Sequence, residues 1–262
     1  MDAAERDLLT ETLRKTMTAT SGQALDTALA DLGWADLLTE QPDLAVPIAF
    51  RLLGETGAHA PLLNDVLLHA TGHPLGGTLP MPFTGGAWVA WERDDTAAGT
   101  ALDPELPLRT VPAGDSEPPL AAGRVALGWW LVGTGRAMLA LARQHAVDRA
   151  QFGRPLASFQ AVRHRLAETL VALEGAEATL VAATDDWGAL LAKAAAGQAA
   201  LTAARHSQQV LGGIGFTAEH DLHRHVRRAV LLDGLLGSAR ELTREAGAML
   251  RACGSAPRLV HL

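Results

Sequence analysis

The chain has 262 residues, enough to bury a real core in one large or two modest domains, and its 48% hydrophobic and 19% charged content is a globular balance and not a disordered one. A net charge of −7 disfavours nucleic acid and anionic membranes as main partners, because both reward a basic face. The single Cys253 excludes an internal disulfide framework and any multi-thiolate metal site.

Ala and Leu are abundant and Tyr is absent, so the composition favours a mostly helical protein. The start, Met1-Asp2-Ala3-Ala4-Glu5-Arg6-Asp7, holds no apolar stretch of the signal-peptide kind. No uninterrupted apolar run approaches the roughly 20 residues of a bilayer span. The expectation is a soluble cytoplasmic protein. Residues 1–86 read as an N-terminal helical domain. Leu8, Leu9 and Leu13, then Leu25, Leu29 and Leu32, recur at helical spacing, with breaks expected at Gly33, Pro42, Pro47 and Pro61.

Residues 87–119 read as a vestigial middle segment or linker, which could hold a few short strands or simply connect its neighbours. Ala87-Trp88-Val89-Ala90-Trp91 is its one strand-like run, and Asp94-Asp95 with Pro104, Pro107, Pro112, Pro118 and Pro119 break up the rest. Helical periodicity returns over 120–262. A first long helix is expected near 121–147 and a second from about Ser158 as N-cap, carrying Phe159, Val162, Leu166, Leu170 and Leu173 on one face. A third is expected near 187–211, ended by Gly212-Gly213, and a fourth near 218–252 with an interruption at Gly234 to Gly237. Four long helices with short connections imply an antiparallel bundle. Trp129 and Trp130 fit a bundle or subunit interface better than a pocket wall.

Two segments carry candidate chemistry. Asp148-Arg149-Ala150-Gln151-Phe152-Gly153-Arg154-Pro155-Leu156-Ala157-Ser158-Phe159-Gln160 combines a guanidinium fork, amides and a helix start, all suited to phosphate. On spacing alone it also reads as a plain helix–turn–helix corner. Gln208-Gln209-Val210-Leu211-Gly212-Gly213-Ile214-Gly215-Phe216 permits close approach of a ligand to the backbone. It is not the dinucleotide pattern after a strand, and alone it reads as a glycine C-cap and tight turn.

In this order and separation the two segments resemble the acyl-CoA dehydrogenase family, whose C-terminal domain carries R-x-x-F-G-x-P-[IL]-x-x-F-Q and then Q-x-x-G-G-x-G-[FY]. The His/Arg-rich run Glu219-His220-Asp221-Leu222-His223-Arg224-His225-Val226-Arg227-Arg228 and the pair Lys193-Ala194 fit the same likeness. It is specific over about 120–240 and weaker at Leu32-Gly33-Trp34 and Leu53-Gly54-Glu55. It implies a mostly α fold: an N-terminal helical domain plus a C-terminal four-helix bundle. It also implies that Arg149, Gln151, Phe152, Gln209, Gly212 and Gly213 contact the pyrophosphate and adenine end of an FAD seated mainly on a neighbouring subunit. Arg124 matches an arginine near the acyl-CoA site of relatives.

Two departures stand against that pattern. Family members take the α-proton of the thioester with a glutamate while hydride passes to the flavin. One family location for that base falls on Leu236 here and the other on Gly123, and neither can take a proton. Asp233 and Glu241 lie nearby but are expected to point elsewhere. The family's middle β-barrel would also need roughly twice the 33 residues (87 to 119) present or more.

Both losses are met if a full-length acyl-CoA dehydrogenase homologue supplies barrel, flavin-ring contacts and glutamate in an α2β2 heterotetramer. FAD would then be shared with that partner, and electrons would leave to electron-transfer flavoprotein or a similar acceptor. Such heteromers occur in actinobacteria, often acting on CoA thioesters of steroid side chains or ring fragments. The rivals are a same-fold flavin monooxygenase or oxidase subunit and a non-enzymatic helical scaffold that has lost flavin. A metal site at Glu219, His220, His223 and His225 is disfavoured, since His225 does not share the helical face of the other two. No nucleophile-elbow pattern supports a hydrolase.

Overall fold

The computed structural model describes residues 1–93, 101–103, 105–114 and 119–255. Asp94, Asp95, Pro104 and Pro118, expected above as breakers, lie outside the described residues. The N-terminal part is five helices: α1 (Ala3–Ala19), α2 (Gln23–Asp31), α3 (Trp34–Glu40), α4 (Pro42–Thr56) and α5 (Leu62–Ala70). Asp2 and Glu5 close a capping box on α1. Gly33 is the N-cap of α3 with φ 82°, Pro42 opens α4, and Pro61 precedes α5. Pro47 does not break the chain as expected but sits inside α4. Its ring removes one intrahelical N–H, and the burial of Ala45, Val46, Ala49, Phe50, Leu52 and Leu53 around it holds the helix regardless.

The middle segment holds short strands. Four antiparallel strands, β1 (Pro80–Phe83), β2 (Ala87–Trp91), β3 (Ala101–Asp103) and β4 (Leu106–Thr110), form a sheet in the order β1-β2-β4-β3. β1 lies within the residues read as N-terminal helical domain; Pro80 and Pro82 masked its strand character, since proline is rare inside sheets. Pairing runs Met81 to Val89 and Trp91 to Leu108. Met81, Val89, Trp91, Leu106 and Leu108 turn into the core.

The C-terminal part comprises α6 (Leu120–Asp148), α7 (Gln160–Val181), α8 (Asp186–Leu211), α9 (Leu222–Gly234) and α10 (Ala239–Cys253). The expected interruption separates α9 from α10. A two-residue hairpin, β5 (Ala150–Gln151) with β6 (Arg154–Pro155), joins α6 to α7. Ser158 is not the N-cap of α7; Phe159 holds that position without a side-chain bond, and the Ser158 hydroxyl donates to the Pro155 carbonyl instead.

α6 is the central rod. It is long and apolar enough to cross a membrane by length and composition, yet 67% of its most apolar stretch is buried inside the fold. Its small residues let neighbours close in. A Cβ added to Gly133 would stand 2.1 Å from the Arg51 carbonyl oxygen, and one on Gly54 would stand 2.3 Å from the Thr134 nitrogen. α4 and α6 therefore touch backbone to backbone. Trp130 is fully buried, stacked on Trp91 at 5.3 Å and edge-on to Phe50 at 5.7 Å, so it packs helix against sheet.

Candidate functional site

The two positions where a base was sought lie side by side. Gly123 is on the first turn of α6, and Leu236 is in the connection between α9 and α10. A Cβ on Gly123 would stand 2.5 Å from Leu236 Cδ1 and 2.8 Å from Leu67 Cδ2. The site is filled by leucine methyl groups, with Leu236 and Leu67 both buried. Leu67, on α5, carried no signal in the sequence for this role.

The α9–α10 connection is pinned from every side. Leu236 takes the left-handed conformation, φ 55°. Its N–H donates to the Pro82 carbonyl at 2.9 Å, and its carbonyl accepts from Arg124 Nε at 3.2 Å. Lys193, fully buried on α8, donates through Nζ to the carbonyls of Asp233 at 2.8 Å and Gly237 at 2.5 Å. Burial pulls the Lys193 pKa down to about 7 against the opposing charge of Asp233. The sequence offered only a Lys-Ala likeness there; the clamp emerges from tertiary contact.

Nearby carboxylates serve structure. Asp233 accepts from the Ala239 N–H at 3.0 Å, and burial raises its pKa. Glu241 forms the α10 capping box with Ser238 and accepts from the Gly85 N–H at 3.0 Å. Backbone hydrogen bonds from Gly85 and Ser238 hold its pKa down at about 2. Arg124 is buried, with Nη2 donating to Glu245 at 3.4 Å, and burial lowers its pKa. Its guanidinium is thus engaged by this chain's own carbonyl and carboxylate.

The second place is the bundle end where α6 and α8 finish and α7 and α9 begin. Cross-links set these directions: Ser207 Oγ donates to the Met138 carbonyl, and Thr169 Oγ1 lies 2.9 Å from His206 Nδ1. Arg149, Gln151, Gln209, Gly212 and Gly213 are all exposed there, and Phe152 is 91% exposed with φ 57°. Phe152 packs edge-on to Phe159, over which the Arg154 guanidinium lies at 4.2 Å. Gly212 has φ 65°, and a Cβ on it or on Gly213 would meet nothing within 4 Å. These glycines face open space. α7 has no side-chain cap, which leaves first-turn N–H groups available to an anion. Arg149 and His220 line one open groove with Gln144 and His145, so the two corners adjoin. Phe216, 69% exposed, adds an apolar face there.

The three histidines of α9 and its approach are placed differently from one another. His220 Nδ1 accepts from the Leu222 N–H at 3.0 Å, and His223 Nδ1 lies 2.8 Å from the His220 carbonyl. His225 turns inward, where burial and Arg228 hold its pKa at about 4.

Residues 116–248 match the family model for the acyl-CoA dehydrogenase C-terminal domain. The acyl-CoA dehydrogenase IpdE2 of Mycobacterium tuberculosis is 35% identical over 170 residues, covering 62% of this chain and 54% of that protein. FadE34 of the same organism is 39% identical over 130 residues, covering 46% of this chain and 18% of that one. The chain spans about half the length of the IpdE2 protein it matches. Among solved structures, a Tcur3481–Tcur3483 steroid ACAD variant superposes with a TM-score of 0.73 at 21% identity, covering 97% of this chain and 99% of the other. The ChsE4–ChsE5 complex of M. tuberculosis gives 0.71 at 19% identity, covering 98% and 99%. At these identities the structures establish a shared fold.

Proposed function

Because the chain belongs to the acyl-CoA dehydrogenase family, we propose that it is the short, partner-dependent subunit of an FAD-linked acyl-CoA dehydrogenase, cytoplasmic and assembled with a full-length homologue as an α2β2 heterotetramer. The observation that carries this reading is a leucine-filled base position. Leu236, Leu67 and Gly123 offer no proton acceptor, so the glutamate that takes the α-proton comes from the partner.

The exposed corner fits one end of FAD. Arg149 supplies a cation, Gln151 and Gln209 supply amides, and Gly212 and Gly213 leave backbone open to a close ligand, a donor set suited to pyrophosphate. When bound, FAD supplies the acceptor for the substrate's β-hydride. This chain's share is to hold and orient the phosphates from across the interface, with Phe152 in contact with the same end of the cofactor. The acyl group is proposed to be bulky and steroid-derived, in keeping with the steroid ACAD whose fold this chain shares. Electrons leave to electron-transfer flavoprotein or a similar acceptor.

The test is flavin absorbance of this chain alone and co-expressed with the full-length homologue. The expected result is flavin only in the complex, a single FAD per pair of chains. Arg149→Ala and Gln209→Ala should then lower flavin retention in the complex while leaving unfolding of the lone chain within about 0.5 kcal/mol, as for exposed positions generally. Stoichiometric flavin on the lone chain, or absence of flavin from a stable complex, overturns the reading, the latter in favour of a scaffold. Faster turnover of short straight-chain acyl-CoAs than of steroid thioesters removes the substrate assignment alone.

A further inference from the structure

The joint between the N-terminal helices, the sheet and α9 is built from charges. α9 carries Arg224, Arg227 and Arg228, and the sheet answers with Asp103 and Glu105. Arg227 Nε lies 2.7 Å from Asp103. Arg224 and Arg227 also reach Glu105, at 3.3 and 3.1 Å. Three guanidinium groups thus share two carboxylates, and Arg228 receives least. It is only 5% exposed. Its Nη1 donates to the Ala58 carbonyl at 3.1 Å, but Nη2 stands 3.8 Å from Glu105, beyond hydrogen-bond reach. A guanidinium has five N–H donors, and withdrawing a cation from water is costly. Burial accordingly pulls the Arg228 pKa down to about 10.

Beside Arg228 lies a cavity of about 150 Å³ walled by α4, α6 and α9, with Arg224, Arg228, His225, Thr56, Thr134 and Asp221 among its lining. The space has room for one small ion with its waters. It is well below the roughly 300–1,000 Å³ of organic-ligand pockets. The hydroxyl protons of Thr56 and Thr134 are committed to the Leu52 and Trp130 carbonyls. The donors left to a guest are therefore the two guanidinium groups and the imidazole.

We propose that this cavity binds a small tetrahedral oxyanion, sulfate or inorganic phosphate, held by Arg228 and Arg224 with the His225 ring as third donor. Nothing in the dehydrogenase reading requires such a site, and the two stand or fall separately. An anion there couples to the histidines. His225 faces Arg224 and Arg228 on its own helix, Asp221 at the helix start and Glu105 from the sheet. His59, beyond Arg228, faces Arg224, Arg228, Asp103 and Glu105 and is likewise held at about 4 by burial and Arg228. A bound anion offsets the guanidinium charge, so the His225 midpoint rises and the anion binds more tightly as pH falls.

The experiment titrates the full chain with sodium sulfate against sodium chloride of equal ionic strength, reading thermal unfolding and the His225 ring resonance by NMR. Sulfate also stabilises proteins through exclusion from their surface, an effect that does not saturate. The site predicts a saturable rise above that background. It also predicts an upward shift of the His225 midpoint by about one unit, a tenfold gain in proton affinity. Arg228→Met should lose the saturable part, and the exposed Arg244→Gln should keep it. Should Arg228→Met fail to fold, Arg224→Gln must weaken it instead. A non-saturating rise shared by all variants, saturation with His225 unmoved, or equal saturation by chloride each overturns the proposal.

Discussion

Leu236 concentrates what distinguishes this chain. A leucine in the left-handed region costs about 1–2 kcal/mol relative to ordinary backbone, and such strain persists only where the surroundings over-determine it. Here the Pro82 carbonyl, Arg124 and Lys193 do so. The side chain so placed lies close to Gly123, as does that of Leu67. A carboxylate at Gly123 therefore meets both leucines before chemistry is reached, and one at Leu236 is buried among methyl groups. Gly123→Glu must push its Cβ into Leu236 and Leu67 and bury a carboxyl among methyl groups. The expected loss is about 3 kcal/mol or more in urea denaturation, with no dehydrogenase activity gained by the lone chain.

At the scale of elements, the sequence pattern placed the long helices well because they bury apolar stripes, and period is visible in residue order. α6 was expected over about 121–147 and spans Leu120–Asp148; α8 was expected over about 187–211 and spans Asp186–Leu211. It read less well where one residue competes with its context. Pro47 looked like a break but is carried by buried neighbours. Ser158 looked like a cap but bonds backward to Pro155. The prolines of β1 hid a strand. The α4–α6 crossing was invisible in the sequence because a glycine's contact partner is set by tertiary packing. Gly54→Ala would drive a methyl group to 2.3 Å from backbone nitrogen and 2.4 Å from backbone oxygen of α6. Rigid backbone cannot yield as a side chain can, so a loss at or above about 3 kcal/mol is expected. A fall in the urea midpoint without a change in m would measure it.

For the whole molecule, the charged joint makes stability depend on acid. His59 and His225 titrate near 4 in the folded chain against an ordinary value of 6.5. Between those values the unfolded chain binds more protons than the folded one, so stability falls as pH drops from 6.5 towards 4 and is whole above 6.5. The effect is on the order of a few kcal/mol for the pair. Urea denaturation at pH 4.5 and 6.5 should show the fall in the wild type. It should be smaller in His59→Gln and His225→Gln, and an equal fall in all three would place the acid sensitivity elsewhere.

Residue order by itself determined the helical class, the long bundle helices and the absence of a carboxylate at both family base positions, because period and side-chain identity are local properties. It also singled out Arg149, Gln151, Phe152, Gln209, Gly212 and Gly213 as a group; that they share one bundle end follows from the helix directions. Only the tertiary structure decided that Leu236 and Leu67 close in on Gly123, that Lys193 clamps the α9–α10 connection, and that Arg228 is buried beside a cavity. Those facts depend on contacts between residues far apart in the chain, such as Gly123 with Leu236 and Ala58 with Arg228, and packing density, not sequence spacing, sets which atoms touch.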